Sequence, residues 1–183
     1  GYLPVAAGVL ACISVAFVEA IECVLLFVFI KKIVKSYHCR EKGRMDKKAR
    51  IGILGAGASG MAAAIAAAGC GAEVTLFEKE ERVGRKILAT GNGKCNLGNL
   101  DFSVNQYYCE DKEKLEKMFR VFSVWDTISF FESMGLMVKS KNGYLYPYCE
   151  QASAVLDVLR MELSRKQVRV VTNTAVESAV YRS

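Results

Sequence analysis

The sequence predicts an α/β fold with a strand–helix–strand core, and three consecutive segments support this prediction. An apolar run at residues 51–54 indicates a short strand, and the alanine-rich segment after it is typical of a helix packed closely on a sheet. A second apolar run at residues 73–77 ends at an acidic residue, Glu78. Strands that alternate with helices in this way usually form a parallel sheet.

The turn after the first strand carries the sequence G-A-G-A-S-G, which starts at Gly55. In a Rossmann-like unit, Gly55 would make the tight turn and Gly57 would let the backbone approach a pyrophosphate. Gly60 would let the helix pack close to its strand. The start of that helix would offer N–H donors and its positive dipole end to a phosphate. The turn therefore predicts a dinucleotide-binding site.

Glu78 lies close to the spacing, about 20 residues after the glycine turn, at which a carboxylate accepts hydrogen bonds from the adenosine ribose. A carboxylate there also repels a 2′-phosphate, which disfavours NADP at this subsite. NAD and FAD remain open at this point, because both present an ADP half to the same turn.

A second glycine-rich segment, V-G-R-K-I-L-A-T-G-N-G-K-C-N-L-G-N at residues 83–99, resembles the second signature of the HI0933-like flavoproteins. These are the NAD(P)/FAD-dependent, aminoacetone-oxidase-like oxidoreductases. The segments N-G-Y-L-Y-P-Y at residues 142–148 and Q-A-S-A-V-L-D-V-L-R at residues 151–160 also resemble that family. The resemblance implies an FAD-binding, Rossmann-like core at residues 51–183 that is the amino-terminal part of a longer flavoprotein, incomplete at its carboxyl end.

The resemblance also implies which residues contact FAD. Arg85 and Lys86 would offer cationic donors beside the pyrophosphate, and Gly91 and Gly93 would let backbone lie flat against a large planar ligand. Val176 would meet the adenine edge, although an ordinary strand explains its segment equally well. The expected cofactor-binding residues are Gly55, Gly57, Ala58, Ser59, Gly60, Glu78, Lys79, Gly84, Arg85, Lys86, Thr90, Gly91, Asn92, Gly93, Cys95, Asn96 and Val176.

Three functional interpretations remain open. The first is an FAD-dependent oxidoreductase that acts on an unidentified small molecule, with NAD(P)H as a candidate electron donor. The second is an NAD-binding dehydrogenase domain, which gives no role to the second glycine-rich segment. The third is a truncated product that holds the ADP-binding half without catalytic activity. The residues identify no catalytic acid or base.

The net charge of +6 is unevenly distributed. Residues 31–50 carry nine Lys or Arg and two acids, whereas residues 51–183 carry 16 and 15. Since the flavoprotein-like region is nearly neutral and lacks a basic patch with interleaved aromatic residues, we expect no nucleic-acid partner.

The seven cysteines form no CxxC pair, and the chain has a single histidine. We therefore expect no metal site, no hydrolytic triad and reduced thiols. Cys95 lies in the second glycine-rich segment, where a packing role is favoured over a redox role because no resolving cysteine is evident.

The amino-terminal 30 residues predict an apolar helix. Residues 5–30 are long enough to span a bilayer, although Glu19 and Glu22 weaken insertion. The basic linker at residues 31–50 would then keep the flavin domain on the cytoplasmic side, and otherwise the protein would be cytoplasmic. Alternatively, Met45 starts the native chain and residues 1–44 come from an upstream reading frame.

The remaining segments predict three helices, a hairpin and a late strand. The helices are expected at residues 111–119, 123–134 and 152–165, and Ser123 is the expected N-cap of the second. Asn142 and Gly143 predict a type I′ turn between strands at residues 137–140 and 144–146, and the late strand begins near Val168. The expected packing residues are Trp125, Phe130, Phe131, Tyr144, Tyr146 and Tyr148. Lining of a flavin or substrate pocket is the alternative for the three tyrosines, as the family resemblance implies.

Overall fold

The computed structural model describes residues 48–101, 104–106 and 111–180. The predicted apolar helix at residues 5–30 and most of the basic linker lie outside the described residues. No helix within the described part of the chain is long and apolar enough to cross a membrane.

The described residues form six strands and four α-helices, with two short 3₁₀ segments. In chain order they are β1 (Arg50–Leu54), α1 (Ala58–Gly69), β2 (Glu73–Phe77), 3₁₀ turns (Ile87–Gly93), β3 (Gly98–Asn99), a 3₁₀ turn (Val104–Gln106), α2 (Lys112–Val121), α3 (Val124–Ser133), β4 (Val138–Lys141), β5 (Tyr144–Pro147), α4 (Ala152–Arg165) and β6 (Arg169–Val171).

The main sheet is parallel and has the strand order β1–β2–β6. Ile51 pairs with Val74, and Leu76 pairs with Val170. Helix α1 lies between β1 and β2 in the chain, so the three elements form the predicted βαβ unit. This arrangement confirms the Rossmann-like α/β fold.

Small side chains let α1 pack closely against this sheet. Ala63, Ala64 and Ala67 are fully buried. At Gly60, an added Cβ would overlap the carbonyl oxygen of Gly55 and lie 3.6 Å from Leu76 Cδ1. The predicted role of Gly60 in close helix packing is therefore confirmed.

A second, antiparallel sheet has the order β3–β5–β4. Asn142 and Gly143 join β4 to β5 with φ values of 52° and 83°, as a type I′ turn requires. Leu145 is buried and pairs with Gly98 of β3. The predicted hairpin is confirmed, with its first strand shifted by one residue.

Helices α3 and α4 lie where the pattern predicted them. Ser123 caps α3 in a capping box with Asp126, whose side chain accepts the N–H of Ser123 at 2.7 Å. In α4, Val155, Leu156 and Leu159 are buried in the same core as α1. This places α4 against α1 and the second glycine-rich segment.

Three aromatic residues are exposed where packing was expected. Trp125 is 65% exposed, because the buried and half-buried face of α3 contains Thr127 and Phe131 instead. Tyr144 and Tyr148 are also exposed, since side chains alternate along a strand and Leu145 occupies the buried face of β5. The packing interpretation was wrong for these three residues.

Candidate functional site

The first glycine turn connects the end of β1 to the start of α1. Gly55 has φ of 90°, and its N–H donates to the Phe77 carbonyl at 2.8 Å. Gly57 precedes α1 without a side-chain cap, and the first turn of this fully described helix contains no acidic residue. An added Cβ on Gly57 would meet no atom within 4 Å. The turn thus presents open backbone and a helix amino terminus, which suit a phosphate group.

Glu78 lies directly after β2 and contacts the glycine turn. Its Oε2 accepts the N–H of Ala56 at 2.6 Å, and its Oε1 accepts the N–H of Glu80 at 3.0 Å. A carboxylate has about four acceptor positions. These two bonds orient the group and leave acceptor capacity for ligand hydroxyls.

The chain after β6 runs beside Glu78. The N–H of Glu78 donates to the Val171 carbonyl at 2.8 Å, and the Glu78 carbonyl accepts the N–H of Thr174 at 2.8 Å. Val176 follows two residues later and is 41% exposed, in a segment without regular secondary structure. The structure therefore brings the segment that leads to Val176 to the Glu78 end of the site, although the strand itself ends at Val171.

The second glycine-rich segment is attached to the first at Gly84. The N–H of Gly84 donates to the Ala56 carbonyl at 2.8 Å, and Arg160 Nη2 donates to the Val83 carbonyl at 3.2 Å. Gly84 is buried with φ of 71°, and an added Cβ would overlap Leu156 and lie 3.0 Å from Met61 Cε. Its lack of a side chain is thus explained by packing between α1 and α4.

The predicted cations lie on the surface near the junction of the two segments. Lys79, Arg85 and Lys86 are all exposed. Arg85 Nη1 lies 3.5 Å from Glu80 Oε2, an exposed ion pair that water screens strongly. Such a weak pair leaves the Arg85 side chain able to reorient toward an anionic ligand.

The segment Ile87–Gly93 consists of two 3₁₀ turns separated by a kink. Gly91, Asn92 and Gly93 have φ values of 55°, 56° and 81°, and all three are exposed. An added Cβ on Gly91 would lie 2.8 Å from the backbone nitrogen of Asn96. Three successive left-handed residues therefore explain why this loop is rich in glycine and asparagine.

The same loop is closed by short-range hydrogen bonds. The Thr90 hydroxyl donates to the Ile87 carbonyl at 2.7 Å, and the Thr90 carbonyl accepts the N–H of Cys95 at 3.1 Å. Asn96 Oδ1 accepts the N–H of Gly98 at 3.0 Å. The predicted residues from Thr90 to Asn96 thus form one compact loop.

Cys95 is buried within this loop. Burial raises the pKa of its thiol more than the hydrogen bond with Thr90 lowers it. A thiol with a raised pKa is a weaker nucleophile at neutral pH, which favours the packing role over a redox role. The described residues contain no group of three or more metal-ligand side chains that could hold an ion.

The sequence did not single out three residues that organise the site. Ala56 bonds both Glu78 and Gly84 through its backbone, and Arg160 reaches the second segment from α4. Glu150 pairs with Lys94. The role of Ala56 was missed because a backbone hydrogen bond has no sequence signature. Those of Arg160 and Glu150 were missed because their partners, Val83 and Lys94, are far away in the sequence.

The chain resembles several curated proteins, of which it spans about a third of the length. It is 47% identical over 131 residues to the 3-dehydro-bile acid delta(4,6)-reductase of Clostridium scindens, covering 70% of this chain and 32% of that protein. It is 29% identical over 126 residues to the ribosomal RNA dihydrouridine synthase of Haemophilus influenzae, covering 68% of this chain and 31% of that protein.

Among solved structures, that of Thermovibrio ammonificans THI4 matches with a TM-score of 0.44 and 15% identity. The match covers 79% of this chain and 45% of that one. The model of the HI0933-like protein Rossmann domain matches residues 49–183. This match includes both glycine-rich segments, Glu78 and the hairpin, and the chain therefore belongs to the HI0933-like family.

Proposed function

We propose that this chain is the cofactor-binding part of an FAD-dependent oxidoreductase. The observation that carries the proposal is the position of the Ala56 peptide between the two glycine-rich segments. Its N–H donates to Glu78 at 2.6 Å, and its carbonyl accepts the N–H of Gly84 at 2.8 Å. An ADP moiety bound at the first segment would have the second segment as its neighbour, as an extended dinucleotide requires.

The first segment fits the ADP half of the cofactor. The pyrophosphate would lie over the open surface of Gly57 at the uncapped start of α1. Glu78 would accept the ribose hydroxyls, and the segment leading to Val176 would border the adenine.

The second segment favours FAD over NAD. An NAD-binding dehydrogenase domain would use the first segment and leave the loop from Thr90 to Asn96 without a role. That loop presents exposed backbone at Gly91 and Gly93, which suits contact with a large flat ligand. When bound, FAD supplies the hydride or electron transfer, while this chain binds and orients it.

The names of the curated relatives favour a reductase. One acts on a 3-dehydro-bile acid, and the other makes dihydrouridine in ribosomal RNA; both names denote a reduction. We therefore propose that the whole protein reduces an organic substrate with electrons from NAD(P)H. The greater identity to the bile-acid enzyme favours a small molecule over RNA as the substrate.

The cofactor proposal is tested by purifying the chain, releasing any bound nucleotide by heat and identifying it by chromatography. We expect FAD, with absorbance at about 450 nm before release. If the protein is purified without nucleotide, titration with FAD and with NADH replaces this measurement. Binding of NADH alone supports the dehydrogenase alternative, and binding of neither supports an inactive product.

The substrate proposal has a separate test. The flavin of the whole protein, loaded with FAD, is reduced chemically without oxygen, and an unsaturated 3-keto steroid acid or a uridine-containing RNA is added. Reoxidation by the steroid supports the small-molecule assignment. Reoxidation by RNA alone, or by neither substrate, contradicts it.

A further inference from the structure

A three-residue ion-pair cluster joins Lys94 of the second glycine-rich segment to Glu150 and Lys139, which lie outside the predicted cofactor-binding residues. Glu150 Oε2 lies 2.8 Å from Lys94 Nζ, and Glu150 Oε1 lies 2.8 Å from Lys139 Nζ. Each carboxylate oxygen therefore binds one ammonium group. The Lys139 ammonium also lies 5.3 Å from the centre of the Tyr148 ring.

This cluster joins two structural units. Lys94 directly follows the left-handed residues of the glycine-rich loop, whereas Lys139 belongs to β4 and Glu150 follows β5. The Glu150 carboxylate therefore adds a side-chain link between the loop and the antiparallel sheet, besides the backbone hydrogen bond from Leu97 to Leu145.

The conformation of the loop explains why such a link matters. Asn92 and Cys95 are non-glycine residues with positive φ, a backbone conformation that L-residues rarely adopt without support. The N–H of Lys94 donates to the Gly91 carbonyl, and the N–H of Cys95 donates to the Thr90 carbonyl. Both hydrogen bonds join residues of the loop itself. The Lys94 side chain adds a restraint from outside it.

Several features distinguish the cluster from an ordinary surface ion pair, which contributes little. The side chain of Glu150 is 25% exposed and that of Lys139 is 32% exposed, whereas that of Lys94 is 43% exposed. Hydrogen bonds from Lys139 and Lys94 lower the pKa of Glu150 to about 2. Glu150 also has φ of 52°, a rare backbone conformation for a non-glycine residue, and its side chain contacts both lysines.

We propose that Glu150 is a positioning residue for cofactor binding, which holds the loop from Thr90 to Asn96 in its binding conformation through Lys94. This inference rests on the proposed function, because it assigns that loop to the cofactor. Glu150 itself would not touch FAD. Its effect on the cofactor would pass through Lys94 and the backbone of the loop.

The test measures two properties of the full chain with Glu150→Gln, which keeps the size of the side chain but removes its charge. FAD affinity is measured by quenching of flavin fluorescence. The second property is the alkylation rate of Cys95 in the absence of nucleotide, which rises if the loop opens and exposes this buried thiol. Peptide mass spectrometry follows the reaction, and Cys70 serves as internal reference. We expect about tenfold weaker FAD binding and faster alkylation of Cys95 with Cys70 unchanged.

The matched control is Glu113→Gln, which makes the same change in an exposed ion pair with Lys117 in α2. It should leave both measurements at wild-type values. Glu150→Asp retains the charge and should partly restore FAD affinity. A role limited to global stability would lower the melting temperature without changing FAD affinity or Cys95 alkylation well below that temperature.

Wild-type FAD affinity and unchanged Cys95 alkylation in Glu150→Gln would overturn the inference. If that variant does not fold, Lys94→Met removes the cation that joins Glu150 to the loop and should change both measurements in the same directions; unchanged Cys95 alkylation would then overturn the inference. If the wild-type chain binds no FAD, the proposed function fails, whereas Cys95 alkylation still decides whether Glu150 holds the loop.

Discussion

The backbone N–H of Ala56 donates a 2.6 Å hydrogen bond to the carboxylate of Glu78. This bond joins the first glycine turn to the residue after β2, and the carbonyl of Ala56 extends the connection to Gly84. The Glu78 carboxylate, which we propose binds the ribose, and the second segment are thus hydrogen-bonded to the same peptide group. We therefore expect a substitution at Glu78 to weaken ligand binding more strongly than it lowers the stability of the fold.

Replacement of Glu78 tests this relationship. We expect Glu78→Ala to weaken FAD binding about 10- to 100-fold, because it removes the acceptor for the ribose and the partner of Ala56. Glu78→Gln should have a smaller effect, since its amide oxygen still accepts a hydrogen bond. Titration of FAD fluorescence measures the affinities. Glu73→Gln, at the opposite end of β2, is the control, and equal affinities in all three variants would contradict the assignment.

Gly57 and Gly60 make a matched pair for separating binding from stability. We expect Gly57→Leu to keep a native melting temperature but lose most FAD affinity, because its side chain would occupy the open surface assigned to the pyrophosphate. Gly60→Ala should lower the free energy of unfolding by about 1–3 kcal/mol, because the added Cβ would overlap the Gly55 carbonyl oxygen. Thermal and denaturant unfolding measure stability. Full FAD affinity in Gly57→Leu would refute the pyrophosphate assignment.

Gly84→Ala tests the packing of the second segment between α1 and α4. The added methyl group would overlap Leu156 at a positive φ, so we expect a loss of about 2–4 kcal/mol in unfolding free energy. Gly93→Ala is the comparison, because it has φ of 81° but no atom within 4 Å. Its expected loss is about 1–2 kcal/mol, from backbone strain alone. Equal losses in urea unfolding would show that Gly84 contributes no packing constraint.

The βαβ core could be predicted from sequence because its signals are local. Short apolar runs predicted β1 and β2, and the spacing of Gly55, Gly57 and Gly60 predicted the turn after β1. The Asn142–Gly143 turn followed from the same kind of reasoning, since few residues other than asparagine and glycine accept positive φ in succession.

The rest of the site depends on contacts between distant segments. Arg160 reaches the Val83 carbonyl across 77 residues of sequence, and Glu150 meets Lys94 only because the antiparallel sheet brings them together. The exposure of Trp125 was also missed, because its hydrophobic character predicts burial while its position on α3 faces away from the core. These outcomes depend on tertiary geometry that periodicity does not contain.

The pH dependence of stability provides a final prediction about Glu150. Its pKa in the folded protein is lowered from 4.5 to about 2 by the two lysines, so the carboxylate binds protons less readily when the chain is folded. The stability that it contributes is fully present above pH 4.5 and is lost as the pH falls from there toward 2. We therefore expect the melting temperature of the wild type to exceed that of Glu150→Gln at pH 6, with a difference that shrinks steadily below pH 4.5. Calorimetry of both proteins across this range measures the difference, and Glu113→Gln controls for acid effects elsewhere. A difference that stays constant down to pH 3, or grows on acidification, would contradict the ion pairing of Glu150 with Lys94 and Lys139.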